Sequence, residues 1–293
     1  MIIVGKVFDA ISKKAKEGAI DVPEFLNIEG ERPIASAKGM REGDNNVEEP
    51  EKVSVERPNV QGWDDLLVKI HESTTGVAES LRVLRAQILY PPVGSPPKSI
   101  LVTSTVSGEG KTFIAANLGI VMAQGLDQYA LIVDCDLRRP TLNKSFGLDN
   151  SKGLTNHLQY GEDLGKLILK TGMKKLSIIP SGPIPFNPSE LLGSERMAVC
   201  LHEIVTRYSD RFVILDSPPM QVASEIAVLS RYVDAVVMVI RWGKSKRELI
   251  RKAVDIIGRD KFLGVIFNAY EMSFVEKKYR SYYGYDGYTY RAY

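Results

Sequence analysis

The stretch from Ser99 to Thr112 constrains the fold of this chain more than any other part of the sequence. It begins with a β-branched, apolar run, continues through a loop that contains Gly108 and Gly110, and ends in Gly-Lys-Thr at the start of an amphipathic segment. An apolar run of this kind predicts a buried strand, and the apolar residues after Thr112 recur at helical spacing. The sequence therefore predicts a strand, a glycine-rich loop and a helix, in that order.

The residues of this loop suit the binding of nucleotide phosphates. The two glycines allow a turn whose backbone N–H groups face inward, together with the free N–H groups of the first helical turn. Lys111 adds a mobile positive charge for the β- and γ-phosphates, and the Thr112 hydroxyl suits Mg²⁺, which prefers oxygen ligands. We therefore expect ATP and Mg²⁺ here. The predicted ATP-binding residues of this stretch are Ser107, Gly108, Glu109, Gly110, Lys111, Thr112 and Phe113.

The match to the phosphate-loop pattern is imperfect. The full pattern G-x-x-x-x-G-K-[ST] has glycine where this chain has Thr105. A structural glycine turn between a strand and a helix is therefore the alternative interpretation.

Composition narrows the class of protein. The 293 residues, 44% of them hydrophobic, suffice for one large α/β domain with extensions. A net charge of +2 is not the strongly basic balance typical of proteins that bind nucleic acids, and we expect no nucleic acid as a partner. The two cysteines, Cys135 and Cys200, form no C-x-x-C pair, which argues against a disulfide framework or a zinc site. No apolar run approaches the roughly 18 residues of a membrane span, and the first residues do not resemble a signal peptide, so we expect a cytoplasmic protein.

The two ends of the chain differ from its middle. Residues 1–26 predict a short amphipathic helix, because Val4, Val7, Phe8 and Ile11 share one face among several lysines. Such a helix suits an anionic membrane or a partner, and an ordinary surface helix is equally compatible. Residues 27–62 are rich in Gly, Pro, Glu and Asn and predict a flexible linker. We place the folded domain at 63–275 and a tail at 276–293.

Two further apolar runs end in aspartate. The run from Tyr129 ends in Asp134 and Asp136, and the run from Arg211 ends in Asp216. In a parallel sheet the carboxyl ends of the strands share one edge, so these carboxylates are expected beside the phosphate loop. There Asp134 or Asp136 would accept a proton from an incoming hydroxyl, and Asp216 would support Mg²⁺. The predicted catalytic residues are Lys111, Asp134, Asp136 and Asp216, and the predicted metal set is Thr112, Asp134 and Asp216.

Strands and helices alternate through the rest of the domain. Short strands are predicted at 176–179, 235–240 and 262–267, with helices from Asn187 to about Tyr208 and from Lys246 to Ile257. This alternation predicts an α/β fold of the P-loop NTPase kind, with a doubly wound, mostly parallel sheet between two layers of helices.

A helix that precedes the phosphate loop is predicted from Thr74 to Tyr90. Its buried stripe is expected at Val77, Leu81, Leu84 and Ile88. A second face carries charges at i+3 spacing, from Glu79, Arg82 and Arg85. Such a ladder is typical of a solvated helix face, and an assembly surface is the alternative.

The last fifteen residues hold seven of the thirteen tyrosines of the chain. They are Tyr279, Tyr282, Tyr283, Tyr285, Tyr288, Tyr290 and Tyr293. Interleaved Gly, Asp and Arg predict an exposed tail. A phenol becomes a nucleophile for a γ-phosphoryl group once a carboxylate takes its proton, so the tail suits the role of phosphoryl acceptor. Each phosphate would add about −1.5 to −2 charges, so the tail would also act as a switch.

In combination these motifs resemble the bacterial tyrosine autokinases of polysaccharide export (BY-kinases), relatives of the septum-site and partition ATPases. The resemblance covers roughly residues 75–293. Residues 107–112 resemble the Walker A motif of that family, residues 131–138 its Walker A′ and residues 213–219 its Walker B. The helix that carries Glu79, Arg82 and Arg85 is similar to the E-x-x-R-x-x-R helix that builds the family's ring interface.

The resemblance implies that one subunit phosphorylates the tail of a neighbour, using ATP and Mg²⁺, in a homo-oligomeric ring that dissociates as the tails are modified. It also implies a role in exopolysaccharide polymerisation and export. The implied partners are a separate membrane-spanning activator of the chain-length-determinant type, which would recruit the protein to the inner face of the plasma membrane, and a tyrosine phosphatase. By the same resemblance Asn268 would contact the adenine, and Asp134 is favoured over Asp136 as the base.

Two alternatives to the kinase stay open at this point. One is a regulatory ATPase of the partition or septum-site kind without kinase activity, and the other is a scaffold that binds nucleotide for assembly alone. The partition pattern K-G-G-x-G-K-[ST] has lysine where this chain has Val106, which counts against the partition mechanism.

Overall fold

One eight-stranded sheet organises the protein. The computed structural model describes residues 2–4, 59–72, 76–207, 210–220, 225–241 and 244–268. The strands are Ile2–Val4 (β1), Ser99–Ser104 (β2), Tyr129–Asp134 (β3), Leu169–Lys170 (β4), Leu176–Ile179 (β5), Arg211–Asp216 (β6), Ala235–Arg241 (β7) and Phe262–Asn268 (β8). They lie in the order β1-β8-β7-β2-β6-β3-β5-β4, and every pair is parallel except β4 with β5. The predicted mostly parallel sheet is confirmed.

Helices cover both faces of this sheet. They are Asp65–Glu72 (α1), Gly76–Leu89 (α2), Lys111–Ala123 (α3), Leu142–Ser145 (α4), Leu154–Tyr160 (α5), Leu164–Leu167 (α6), Pro188–Leu192 (α7), Glu195–Arg207 (α8), Glu225–Leu229 (α9) and Arg247–Ile257 (α10), with a 3₁₀ turn at Ser230–Tyr232. None of these helices is both long and apolar enough to cross a bilayer.

The central strands are apolar at successive positions, and successive side chains of a strand point to opposite faces. Both faces of the sheet are therefore apolar. Ile100 and Val102 of β2 pack in one core with α1, α2 and α3, whereas Leu101 packs in a second core with helices that include α8 and α10. Almost the whole of α3 is buried, from Ile114 to Ala123. The central strands and α3 therefore hold the phosphate loop between two packed layers.

The amino-terminal side of the domain differs from the sequence-based prediction. Ile2–Val4 is a strand beside β8, not the beginning of an amphipathic helix, and the rest of that predicted helix lies outside the described residues. Asn59 N–H donates to the Gly172 carbonyl at 3.2 Å, so the last residues of the predicted linker contact the domain. The rest of the linker, residues 27–58, and the tail at 276–293 also lie outside the described residues.

Two helical predictions are corrected. The stripe of α2 is wrong at Val77, which is half exposed, because the buried position is Ala78, one residue further on. The helix predicted from Asn187 to Tyr208 is two helices, α7 and α8. The Ser194 hydroxyl between them donates to the Leu191 carbonyl at 2.7 Å and accepts from the Met197 N–H at 3.2 Å, so it closes one helix and begins the next.

Candidate functional site

The phosphate loop and the predicted aspartates meet at the carboxyl edge of the sheet. β2 is flanked by β6 and β7, and β3 lies beside β6 with Asp134 opposite Asp216. Because neighbouring parallel strands lie about 4.8 Å apart, both aspartates end beside the loop that follows Ser104. The position beside the phosphate loop that the sequence analysis expected for both aspartates agrees with the structure.

The phosphate loop has the backbone that its glycines predict. Gly108 and Gly110 have φ angles of 76° and 92°, which residues with a side chain rarely adopt. A Cβ on Gly110 would also collide with the Asn268 amide, whose Nδ2 donates to the Glu109 carbonyl at 2.9 Å. The Lys244 ammonium donates to the Ser107 carbonyl at 2.7 Å. Contacts from β8 and from the segment after β7 thus hold the loop.

The side chain of Glu109 is buried beneath the loop, at 1% exposure. One oxygen accepts from the Thr105 hydroxyl and the Val106 N–H, both at 3.0 Å, and the other accepts from the Arg241 N–H at 3.1 Å and from the Ser245 hydroxyl. The sequence analysis placed Glu109 among the ATP-binding residues and did not predict that its side chain braces the loop from below. Two of its partners, Arg241 and Ser245, lie more than 130 residues away in the sequence, so a local pattern could not show them.

Lys111 is held by a carboxylate. Its ammonium lies 2.8 Å from Asp136 Oδ2, and the two side chains are 13% and 5% exposed. Burial alone would lower the pKa of Lys111, but Asp216, Asp136 and Asp134 together raise it above its usual value. The ammonium is therefore charged and already in place at the loop.

Asp134 is fully buried at the end of β3. Its oxygens accept backbone hydrogen bonds from the Asp136 N–H at 3.1 Å and the Leu142 N–H at 3.3 Å. Burial, followed by the charges of Asp216 and Asp136, raises its pKa well above the usual range, although the two backbone bonds act in the opposite direction. A carboxylate with a raised pKa is a stronger base than an ordinary aspartate.

Asp216 is the least satisfied carboxylate of the site. Both of its oxygens are buried, and within the described residues neither accepts a hydrogen bond of normal geometry. Burial raises its pKa to about 6, while Lys111 and the nearby Thr112 hydroxyl act to lower it. An orphaned buried carboxylate beside a hydroxyl is a chemically suitable donor set for a hard divalent cation.

Arg138 links this site to two later segments, a connection that the sequence analysis missed. Its Nη2 donates to the Ser189 hydroxyl at 2.6 Å and to Glu225 Oε1 at 3.1 Å, and Glu225 is 2% exposed. The residue stands two positions after Asp136, at the start of the loop that follows β3. An arginine two residues after Asp136 is the feature of the sequence that could have indicated a contact here. Its partners on α7 and α9 are brought near only by the tertiary fold.

The charged ladder of α2 is only partly on the surface. Glu79 and Arg82 are exposed and form an ion pair of 2.9 Å. Arg85 is half buried, and its Nη2 donates to Gln128 Oε1 at 3.1 Å. Two members of the predicted interface are therefore accessible, and the third is bound within the chain.

The remaining predicted site residues have different surroundings. The Phe113 side chain is partly buried and packs against the core that contains α3. Asn268 lies at the loop through its bond to the Glu109 carbonyl, and its predicted contact with adenine stays a prediction. All seven predicted acceptor tyrosines lie outside the described residues.

Comparison with known proteins identifies the class of this fold and site. The family described as the CobQ/CobB/MinD/ParA nucleotide binding domain matches residues 100–283, which is more than half of the chain. Within this class the chain is similar to the tyrosine-protein kinase YwqD of Bacillus subtilis, at 36% identity over 198 residues, 67% of this chain and 82% of the relative. It is also similar to the putative tyrosine-protein kinase CapB of Staphylococcus aureus, at 31% identity over 212 residues, 72% and 91% of the two chains.

Solved structures agree with these relatives. The chimerical protein CapA2B2 has a TM-score of 0.65 at 32% identity and covers 72% of this chain and 92% of its own. The kinase domain of the Escherichia coli tyrosine kinase ETK has a TM-score of 0.64 at 28% identity, with 71% and 83% covered. The chain therefore belongs to the bacterial tyrosine kinase family within the CobQ/CobB/MinD/ParA class. It is a nucleotide-binding protein-tyrosine kinase.

Proposed function

We propose that this kinase transfers the γ-phosphoryl group of ATP to tyrosines 279–293 of a neighbouring copy. The observation that carries the proposal is that the phosphate loop, with Lys111, lies beside Asp134 and Asp216 at one edge of the sheet. The same chain has seven tyrosines within residues 279–293. Phosphoryl transfer needs mainly positioning and charge neutralisation, and this edge offers both.

The residues at the loop have distinct proposed tasks. The backbone N–H groups of residues 107–113 orient the β- and γ-phosphates, and Lys111 moves from Asp136 to these phosphates when ATP binds. Thr112 and Asp216 would hold Mg²⁺, with Asp134 in reach of a bound water, which agrees with the unpaired oxygens of Asp216. When bound, Mg²⁺ would neutralise charge on the phosphate oxygens.

The chemical step is a displacement at phosphorus. The tyrosine oxygen forms a bond to the γ-phosphorus while the bond between that phosphorus and the β–γ bridging oxygen breaks, and ADP leaves. We assign the phenolic proton to Asp134, because its raised pKa makes it the better base, whereas Asp136 already holds the lysine. This choice agrees with the family resemblance.

Purified protein with γ-labelled ATP tests the proposal. We expect label on residues 279–293, and we expect Lys111→Met to abolish it. Phosphate release with an unlabelled tail would instead indicate a regulatory ATPase of the partition kind. Comparing Asp134→Asn with Asp136→Asn tests the base, because the first variant should lose transfer at every pH while it still binds nucleotide.

The cellular context of the proposal follows from the family resemblance. We propose a homo-oligomeric ring that uses the exposed face of α2 and a separate membrane-spanning activator that recruits the kinase to the inner face of the plasma membrane. A tyrosine phosphatase would reverse the reaction. The process controlled in this way is exopolysaccharide polymerisation and export, and deletion of the gene with analysis of surface polysaccharide length tests this assignment.

A further inference from the structure

The loop between β5 and α7 exposes apolar side chains at the same edge of the sheet as the candidate site. Phe186 is 102% exposed and Ile184 is 64% exposed, while Pro185 between them is buried. Phe186 is the most exposed of the large hydrophobic side chains in the described part of the chain. Pro183, next to Ile184, is also exposed, and apolar side chains exposed close together in this way mark interaction sites in soluble proteins.

The backbone of this loop is fixed at Gly182, where the loop begins. The Gly182 N–H donates to Asn150 Oδ1, and Asn150 Nδ2 donates back to the Gly182 carbonyl, both at 2.9 Å. Prolines at 183, 185 and 188 restrict φ along the segment. The side chains of Ile184 and Phe186 are therefore displayed on an ordered backbone, which lowers the entropic cost of binding a partner.

The loop is continuous with the candidate site. It follows the carboxyl end of β5, and β5 pairs directly with β3, the strand that ends in Asp134. At the other end of the loop, the Ser189 hydroxyl accepts from Arg138, two residues after Asp136. A peptide that lies across Ile184 and Phe186 is thus beside the edge where the phosphates are expected.

The chain supplies a peptide of matching chemistry. Residues 279–293 contain seven tyrosines and only three charged side chains, so rings and not charges dominate their unmodified surface. Phenol rings pack well on isoleucine, proline and phenylalanine side chains. Phosphorylation adds about −1.5 to −2 charges to each ring, which removes this match and favours release of the product.

We propose that Pro183, Ile184 and Phe186 form the docking surface for residues 279–293 of a second copy of this chain. This inference rests on the proposed function and adds the place where the acceptor is held. The last described residue, Asn268, is eleven residues from Tyr279, a span of at most about 40 Å, so the tail of the same copy is the competing occupant.

The test uses full chains. The double variant Ile184→Ser/Phe186→Ser serves as the enzyme, and a size-tagged Lys111→Met chain serves as the acceptor at increasing concentration. We expect the KM for the acceptor to rise at least about fivefold, while kcat and the KM for ATP change by less than about twofold. The matched control is Val93→Ser/Leu126→Ser, which removes two side chains of 88% and 92% exposure from loops at the opposite edge of the sheet.

Each outcome decides the proposal. An unchanged acceptor KM in the loop variant overturns the docking surface, and label confined to the enzyme's own tail overturns the second copy as occupant. If the unsubstituted enzyme labels no acceptor, the proposed function has failed, and docking is then judged by the binding of a fluorescent peptide of residues 279–293. Docking is supported if the unsubstituted protein and the control variant bind this peptide and the Ile184→Ser/Phe186→Ser variant does not. Equal binding of the peptide by all three proteins contradicts it.

Discussion

The ammonium of Lys111 lies 2.8 Å from the Asp136 carboxylate, so the cation that is expected to bind phosphate is already paired before nucleotide arrives. Nucleotide binding must break this pair or share it. The ion pair holds the lysine in place at the loop, and it also lowers the affinity for phosphate by competing with it. Asp136 is thus expected to tune nucleotide affinity.

Asp136→Asn should strengthen nucleotide binding. The variant removes a negative charge beside the phosphates and releases Lys111, so we expect the Kd for ADP to fall about tenfold, or ~1.4 kcal/mol. Calorimetric titration measures this change, with Lys111→Met as the comparison that should weaken binding. A weaker affinity in Asp136→Asn would show that the carboxylate positions the lysine more than it competes with phosphate.

Glu109→Gln should loosen the phosphate loop. One Glu109 oxygen accepts from the Val106 N–H and the other from the Arg241 N–H, so either orientation of the new amide brings an NH₂ group against a backbone donor. A buried donor left unpaired costs about 1–3 kcal/mol, and we expect both the melting temperature and the ADP affinity to fall. The matched control is Glu248→Gln on the exposed face of α10. Equal effects from the two variants would refute this role of Glu109.

Asp216→Asn should stabilise the nucleotide-free protein in a pH-dependent way. The pKa of Asp216 is about 6 in the folded protein against an ordinary value of 3.8, so the folded state binds its proton more tightly. Ionisation of this group therefore costs stability as the pH rises from 3.8 to about 6, and the full cost, on the order of 3 kcal/mol, is present above pH 6. The melting temperature of the variant should exceed that of the unsubstituted protein at pH 7.5 and equal it at pH 3.5. A difference in melting temperature that does not change with pH would contradict this account.

Both thiols should be inert in the folded protein. Burial, aided by the charge of Glu203, raises the pKa of Cys200 to about 12, and burial raises the pKa of Cys135 well above its usual range. Because the thiolate is the reactive form, a disulfide reagent at pH 8 should titrate neither cysteine until guanidinium unfolds the chain, and both afterwards. Rapid reaction of one thiol in the native protein would be inconsistent with the buried positions found here.

Removal of the exposed ion pair of α2 should dissociate the proposed ring. Glu79→Ala/Arg82→Ala should lower the apparent mass in light scattering with little loss of stability, since exposed pairs contribute about 0–1 kcal/mol. The matched control is Glu203→Ala/Arg207→Ala, which removes an exposed pair of 2.7 Å on α8. If both variants keep the mass of the unsubstituted protein, α2 is not the assembly surface.

The sequence predicted the parts of the site that follow from general rules of parallel sheets. Asp134 and Asp216 were placed correctly because strand ends in a parallel sheet share an edge, whatever the strand order. Positive φ at Gly108 and Gly110 was equally predictable, because the loop motif requires it.

Long-range contacts account for what was missed. The edge strand Ile2–Val4 pairs with β8, some 260 residues away, and three apolar residues carry no sign of such a partner. The buried side of α2 includes Ala78 instead of Val77 because the position of α3 and α1 decides which side faces inward. The roles of Glu109 and Arg138 likewise depend on segments that only the fold brings near.

Transfer between copies is the central claim. An active chain that lacks residues 276–293 is mixed with a full Lys111→Met chain and ATP, and the phosphotyrosines of the inactive chain are mapped by mass spectrometry. The account predicts phosphate on tyrosines between 279 and 293 of the Lys111→Met chain and none when either protein is incubated alone. An unmodified tail in the mixture, with the truncated chain still binding nucleotide, would contradict it.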